Sequence, residues 1–411
     1  MPSRYPTAFA EPSLPTVQER EPRTVEFDIH GILGVRLVDP AASDVAAVRQ
    51  QLGLPQAVLR REPDITLRFV TSLPAVRSHD LGVACKGFTD TALLVFDHSP
   101  NKPILAVPFD RLGNHCEILC ATGLRAVPFL RAILAQRALA KGYVAVHASA
   151  CVFKGTGVLF AGWAESGKTT ALLGFASLGA EYVGDEWVLL SSDGEAMYGL
   201  PSPIELSPWH VATLPHVRRL IGGPRLCLVS ALGALAKAQK AILGKNGCTT
   251  TPAKISRQVL AHLQHQVIPA VAPQALFRDR FASTATKPDK IFLLITHNDP
   301  RILVEPTDPS GMANRLATLA QHEEMRLLEH YLAFKFAFPE RKSPLVERSS
   351  IRRAHIFARA LEHKQTYTVR HPHPLVFSAL YEQLRPLWET GSETVSRRRY
   401  AFREDTSAPV N

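Results

Sequence analysis

Cysteine is scarce: the 411 residues hold six (Cys85, Cys116, Cys120, Cys151, Cys227 and Cys248) and no CxxC pair. That spacing excludes a disulfide scaffold and a four-cysteine zinc module, and it suits a reducing compartment. His115, Cys116 and Cys120 are close enough to raise a zinc site, but with no matching second half they read as packed side chains. No apolar run approaches the ~18 residues of a membrane helix. The N-terminus carries Arg4 and Pro2, Pro6, Pro12 and Pro15 where a signal peptide needs an unbroken apolar stretch. A cytoplasmic protein with no membrane partner is the expectation. Aromatics make up only 8% of the chain; of its densest basic stretches, 341–353 holds none and 397–403 holds only Tyr400 and Phe402. Those stretches therefore read as solvated faces or tail, and nucleic acid is not an expected partner.

What is present describes a folded protein. Hydrophobic residues are 46% and charged residues 20%, ordinary values for globular chains. The dispersed net charge of +10 favours an anionic ligand, and the length predicts two or three domains. Residues 1–24, rich in Pro, Glu and Thr without a period, read as a disordered leader. Strand patterns at 25–38, 65–71, 83–96 and 103–108 predict an N-terminal mixed α/β domain over 25–120. A second α/β domain is expected over 121–310. It opens with an amphipathic helix at 124–141, then strands at 143–153 and 158–161, a glycine-rich loop, a helix at 169–178 and a strand at 182–190. Further expectations are helices at 231–243 and 255–264 and a buried strand at 291–296. A helical extension over 311–395 follows, with a long helix at 312–335, helices at 351–363 and 374–384, and a short strand at 367–370. A basic tail occupies 396–411.

The loop carries the strongest chemical signal. Gly162, Trp163, Ala164, Glu165, Ser166, Gly167, Lys168 and Thr169 satisfy GxxxxGK[ST] in full, and Thr170 follows. Glycines let backbone N–H groups turn inward around phosphate oxygens, and the next helix offers its positive end. Lys168 suits the β and γ phosphates, and the Thr169 hydroxyl suits Mg²⁺. ATP with Mg²⁺ is the expected ligand pair. Asp185 and Glu186 follow in an apolar strand, where buried carboxylates need a cation or a proton to handle. His147 lies in the strand adjoining the loop.

The stretch 144–190, VAVHASACVFKGTGVLFAGWAESGKTTALLGFASLGAEYVGDEWVLL, resembles the HPr kinase/phosphorylase family. It has that family's histidine in a strand, turn, phosphate loop, short helix ending in glycine and acidic pair, in order and at matching spacing. The resemblance implies a P-loop kinase domain of the HPr kinase (PEP-carboxykinase-like) type and an HPr-kinase-like serine kinase activity. It makes His147 the active-site histidine, Lys168 the phosphate-binding lysine and Thr169 a Mg²⁺ ligand. Asp185 and Glu186 become the acidic pair, serving metal and catalysis, with Glu186 as general base.

The sequence departs from the family at Trp163, Ala164 and Glu165, at Thr170 where an acid is usual, and at Glu186 where the bifunctional enzymes have aspartate. Those differences argue against HPr itself as acceptor and leave the reverse reaction open. Glu205 is the candidate for a later acidic Mg²⁺ ligand. No LSGGQ-type signature is present, and Asp299 is displaced from the end of the 291–295 strand, so a transport or motor ATPase is the poorer reading. The expected reaction is transfer of the ATP γ-phosphoryl group to a hydroxyl, with serine of a protein or peptide as partner. A small-molecule kinase and a non-catalytic ATP-binding regulator are the alternatives. The oligomeric state is open, a homo-oligomer included.

Overall fold

The computed structural model describes residues 22–74, 86–96, 102–112, 114–221, 270–280 and 284–389, with scattered positions between 223 and 235. The helices expected at 231–243 and 255–264, nearly all of the leader and the tail at 396–411 lie mainly or wholly outside these residues. The protein is mixed α/β, with three sheets among the described residues.

The first sheet has seven strands. β1 (Thr24–Ile29) and β2 (Leu33–Val38) form a hairpin, and helix α1 (Ala42–Leu52) crosses to β3 (Ile65–Val70), parallel to β2. β4 (Lys86–Phe88), β5 (Ala92–Phe96) and β6 (Pro103–Pro108) run as an antiparallel meander. β7 (Cys116–Ala121) inserts between β3 and β6. Cys116 and Cys120 face the core from β7, and burial pushes both thiols up to about 12. His115 Nδ1 donates to the Pro63 carbonyl at 2.8 Å.

Helix α2 (Leu130–Ala140) is shorter than the pattern predicts, because Pro128 and the left-handed Phe129 (φ 61°) precede it. Leu130, Ile133, Leu134 and Ala138, spaced for one helical face, pack into the core of the seven-stranded sheet.

Two further sheets follow. β8 (Tyr143–Val146), β12 (Val188–Ser191), β13 (Met197–Gly199) and β14 (Ala285–Thr286) make a four-stranded sheet. β9 (Ala148–Phe153), β10 (Thr156–Gly162), β11 (Glu181–Gly184), β15 (Lys290–Thr296), β16 (Leu303–Pro306) and β17 (Gln365–His371) make a six-stranded one, in the order β11-β9-β10-β15-β17-β16. The strands predicted at 143–153 and 182–190 are therefore each two strands. Each chain segment leaves one sheet and enters the other, breaking at His147 in the first case and at Asp185–Trp187 in the second.

The short strand expected at 367–370 is β17, which lies inside the six-stranded sheet, parallel to β15. The helix predicted at 312–335 is also two, Pro309–Glu323 and Met325–Ala337, separated at Glu324. The Glu324 carboxylate is turned inward to accept from Gln136 of α2 and from Arg353 at 2.7 Å. Helix Pro344–Ala360, which carries Arg353, packs against Pro309–Glu323 and α2.

Candidate active site

The glycine-rich loop spans from β10 to helix α3 (Lys168–Ser177), the strand–loop–helix order expected. β10 is held between antiparallel β9 and parallel β15, so the loop leaves from the interior of the sheet. Its glycines are required sterically. A Cβ on Gly162 would stand 2.4 Å from Ser166 Oγ and 2.6 Å from the Leu294 carbonyl oxygen. Gly167 has φ +88°, and a Cβ there would meet the Leu375 side chain at 2.8 Å. His371, at the end of β17, donates from Nε2 to the Ser166 carbonyl at 2.9 Å. The loop is thus shaped partly by residues just before and after Pro372.

Lys168 is buried and donates to the Gly162 and Trp163 carbonyls at 3.0 and 2.8 Å, curled back over its own loop. Burial lowers its pKa, against the opposing pull of Glu186 and Asp185. The Ser166 hydroxyl is buried with no hydrogen-bond partner. A buried donor of this kind beside inward-facing glycines fits a phosphate oxygen.

Thr169 Oγ1 lies 3.3 and 3.2 Å from the two Asp185 oxygens. Asp185 is 2% exposed, and burial, followed by the adjacent Glu186 charge, pushes it up to about 7. A carboxylate that costs this much to ionise suits a cation at its oxygens. Thr169 and Asp185 supply the one hydroxyl and one carboxylate that Mg²⁺ takes from a phosphate site, water and phosphates providing the rest. Among the described residues no group of three or more His, Cys, Asp or Glu is arranged to hold a metal by itself.

Glu186 follows in the strand break with φ +69°, a left-handed conformation that turns it away from Asp185 and toward His147. His147 Nε2 is 3.3 Å from Glu186 Oε2, and its Nδ1 is 2.9 Å from Glu323 Oε1. With a carboxylate at each nitrogen, the ring is satisfied as an imidazolium. Against a burial penalty, the hydrogen bonds to Glu186 and then Glu323 raise it to about 9, and the same contacts hold both carboxylates below their usual range.

His147, Ala164–Thr170, Glu186 and Glu205 line one cleft of about 270 Å³. Of the predicted site residues, Gly162, Trp163 and Asp185 are not on its lining, and Asp185 meets it through Thr169. Glu205 is an exposed residue on its wall. Trp163 is half exposed outside it, its ring stacked 4.2 Å from that of His322.

Three residues escaped sequence reasoning. Glu323 is 176 residues from His147, and no motif marks it. His322 beside it is equally silent. His210 sits on short helix α4 (Pro208–Thr213), whose Ser-Pro start at 207–208 is a legible helix signal without a hint of its neighbour. Its Nδ1 accepts from the Ser207 N–H at 3.0 Å, so Nε2 carries the proton and donates to Thr170 Oγ1 at 2.9 Å. Burial lowers His210 to about 4, which keeps it neutral.

Scanned against protein-family models and against curated proteins, the chain finds no match.

Proposed function

We propose that the chain is an ATP- and Mg²⁺-dependent kinase of the HPr-kinase-like, PEP-carboxykinase-type P-loop group, transferring the γ-phosphoryl group to an alcohol, with serine of a protein or peptide as acceptor. One observation carries the reading: Thr169 with Asp185 and His147 with Glu186 flank the same glycine-shaped phosphate loop.

Loop amides and Lys168 would hold the β and γ phosphates once Lys168 exchanges its two loop carbonyls for phosphate oxygens. Thr169 and Asp185 would hold Mg²⁺, which supplies charge neutralisation between the phosphates. Glu186 accepts the acceptor's proton as the hydroxyl oxygen bonds to phosphorus and the bond from phosphorus to the departing ADP oxygen breaks. A carboxylate beside an imidazolium is a weak base, but a loose phosphoryl transition state asks little of the base and much of positive charge nearby. His147 provides that charge and fixes the Glu186 carboxylate.

The test is transfer from labelled ATP with Mg²⁺ into a panel of genomically neighbouring peptides, HPr and hydroxylated metabolites, using wild type, Lys168→Ala and Glu186→Gln. Both substitutions should cut transfer by about 10²-fold or more, with Lys168→Ala also weakening ATP binding. Failure of the wild type to bind ATP overturns the reading.

A further inference from the structure

Glu323 stands behind the proposed reaction centre rather than in it. His147 and Glu186 line the nucleotide cleft together with the glycine-rich loop, and Glu323 is not on that lining. Its Oε1 instead accepts from His147 Nδ1 at 2.9 Å, the ring nitrogen that Glu186 does not use.

The carboxylate is held in place by its neighbours in the chain. His322, one residue before, stacks its ring 4.2 Å from that of Trp163 in the loop. Glu324, one residue after, accepts from Gln136 and from the buried Arg353. One turn earlier, Leu319 and Ala320 share a core with Val146 and Ala148, the residues on either side of His147. The end of helix Pro309–Glu323 and the histidine are thus fixed against the same core. The Glu323 side chain itself is nearly half exposed, and an ion pair of that exposure adds little to the stability of a fold. Its geometry is specific where its part in folding is small.

An imidazole tethered at one nitrogen can still swing about its side-chain bonds. A second anchor at Nδ1 removes that swing and fixes where Nε2 meets the Glu186 carboxylate, at 3.3 Å. Resting on the kinase reading, we infer that Glu323 is a positioning residue for the transfer, acting through His147, whose ring it orients so that Glu186 keeps its place toward the acceptor hydroxyl. It touches neither nucleotide nor acceptor. A helix with no motif of its own, from the region after 310, thereby enters the reaction.

The experiment measures ADP release from ATP and Mg²⁺, with the acceptor panel present, for wild type, Glu323→Ala, Glu323→Gln, His147→Ala and the double variant His147→Ala with Glu323→Ala. ATP affinity and Tm are measured alongside. ADP release reports transfer to any hydroxyl, water included. Glu323→Ala should lower kcat by about 10–100-fold, with the KM for ATP within about twofold and Tm unchanged. Glu323→Gln keeps an oxygen acceptor at the same reach and should recover kcat to within about fivefold of wild type. In the His147→Ala background, Glu323→Ala should cost no more than about twofold further, because a residue that acts through a side chain has no effect once that side chain is gone. NMR of the full chain with isotope-labelled histidines gives a readout that needs no turnover. The His147 Nδ1–H signal, assigned by its loss in His147→Ala, should vanish in Glu323→Ala and persist in Glu323→Gln. An undiminished kcat in Glu323→Ala, a full additional loss in the double variant, or a ring signal that survives Glu323→Ala would each overturn the inference. A wild type that binds ATP but releases no ADP would overturn it together with the kinase reading. A wild type that binds no ATP would overturn the kinase reading, and the ring signal would still decide whether Glu323 holds His147.

Discussion

The seven-stranded sheet and the junction beside the glycine-rich loop each bury an aspartate, and they treat it in opposite ways. Asp64, 3% exposed, precedes β3 and accepts from Arg137 at 2.8 Å, from Lys141 at 2.7 Å and from the Gly34 amide at 2.9 Å. Burial alone would raise its pKa, but Lys141, the Gly34 amide and Arg137 outweigh burial and hold it below the ordinary value. Asp185, 2% exposed, is met by the Thr169 hydroxyl and a second carboxylate, and the Lys168 charge does not offset its burial, so it is raised. Two carboxylates of nearly equal exposure therefore separate by what surrounds them and by the greater depth of Asp185. The first is finished as a structural element, and the second is left short of a cation.

That contrast can be broken by substitution. Asp185→Asn should lower phosphoryl transfer by about 10³-fold while leaving thermal stability unchanged or raised, because it removes a costly buried charge. A clear drop in Tm would show that Asp185 is structural after all. Asp64→Ala should do the reverse, costing about 3 kcal/mol in denaturant unfolding by stranding two cations, with ATP affinity kept in the folded fraction. Full stability in Asp64→Ala would remove the contrast from the other side.

The pH dependence sharpens it. For Asp185 the folded state holds the proton more tightly, so the group's contribution favours folding below its ordinary value of 3.8 and is lost as pH rises through about 7. Asp64 has the opposite sign: its contribution is present above 3.8 and is lost as pH falls through its depressed folded value. Unfolding followed from pH 3 to 8 should show wild type losing, relative to Asp185→Asn, stability between about 4 and 7. The smallest effect belongs outside the cleft, where Trp163→Ala should cost only about 0.5–1 kcal/mol from the stack on His322, read as a modest shift in Tm.

Much of the site was legible because it is local. Gly162 to Thr169, the strand before them and the helix after them are contiguous, and their spacing states the chemistry. The acidic pair and His147 were found, but as members of continuous strands. Hydrophobic periodicity cannot show that Val144–His147–Ala150 crosses between sheets, because both sides of the break are equally apolar. The same blindness applies to Gly184 through Val188.

Glu323 was illegible for a different reason. It closes a helix whose pattern runs on without interruption into the next, and only the inward turn of Glu324 toward Gln136 and Arg353 breaks that run. Helix α2 illustrates tertiary override: its apolar face was read correctly, but the sheet that receives it is the one preceding it in the chain.

The contact between His371 and Ser166 spans 205 residues. Until the ribosome has released β17 and Leu375, the loop at Ser166 and Gly167 lacks the surface against which it is shaped. A nascent chain cut short of that point would carry the whole nucleotide motif and yet hold it in no fixed form. If the loop binds nucleotide as proposed, that binding would first be acquired late in synthesis, once a segment with no motif of its own has arrived.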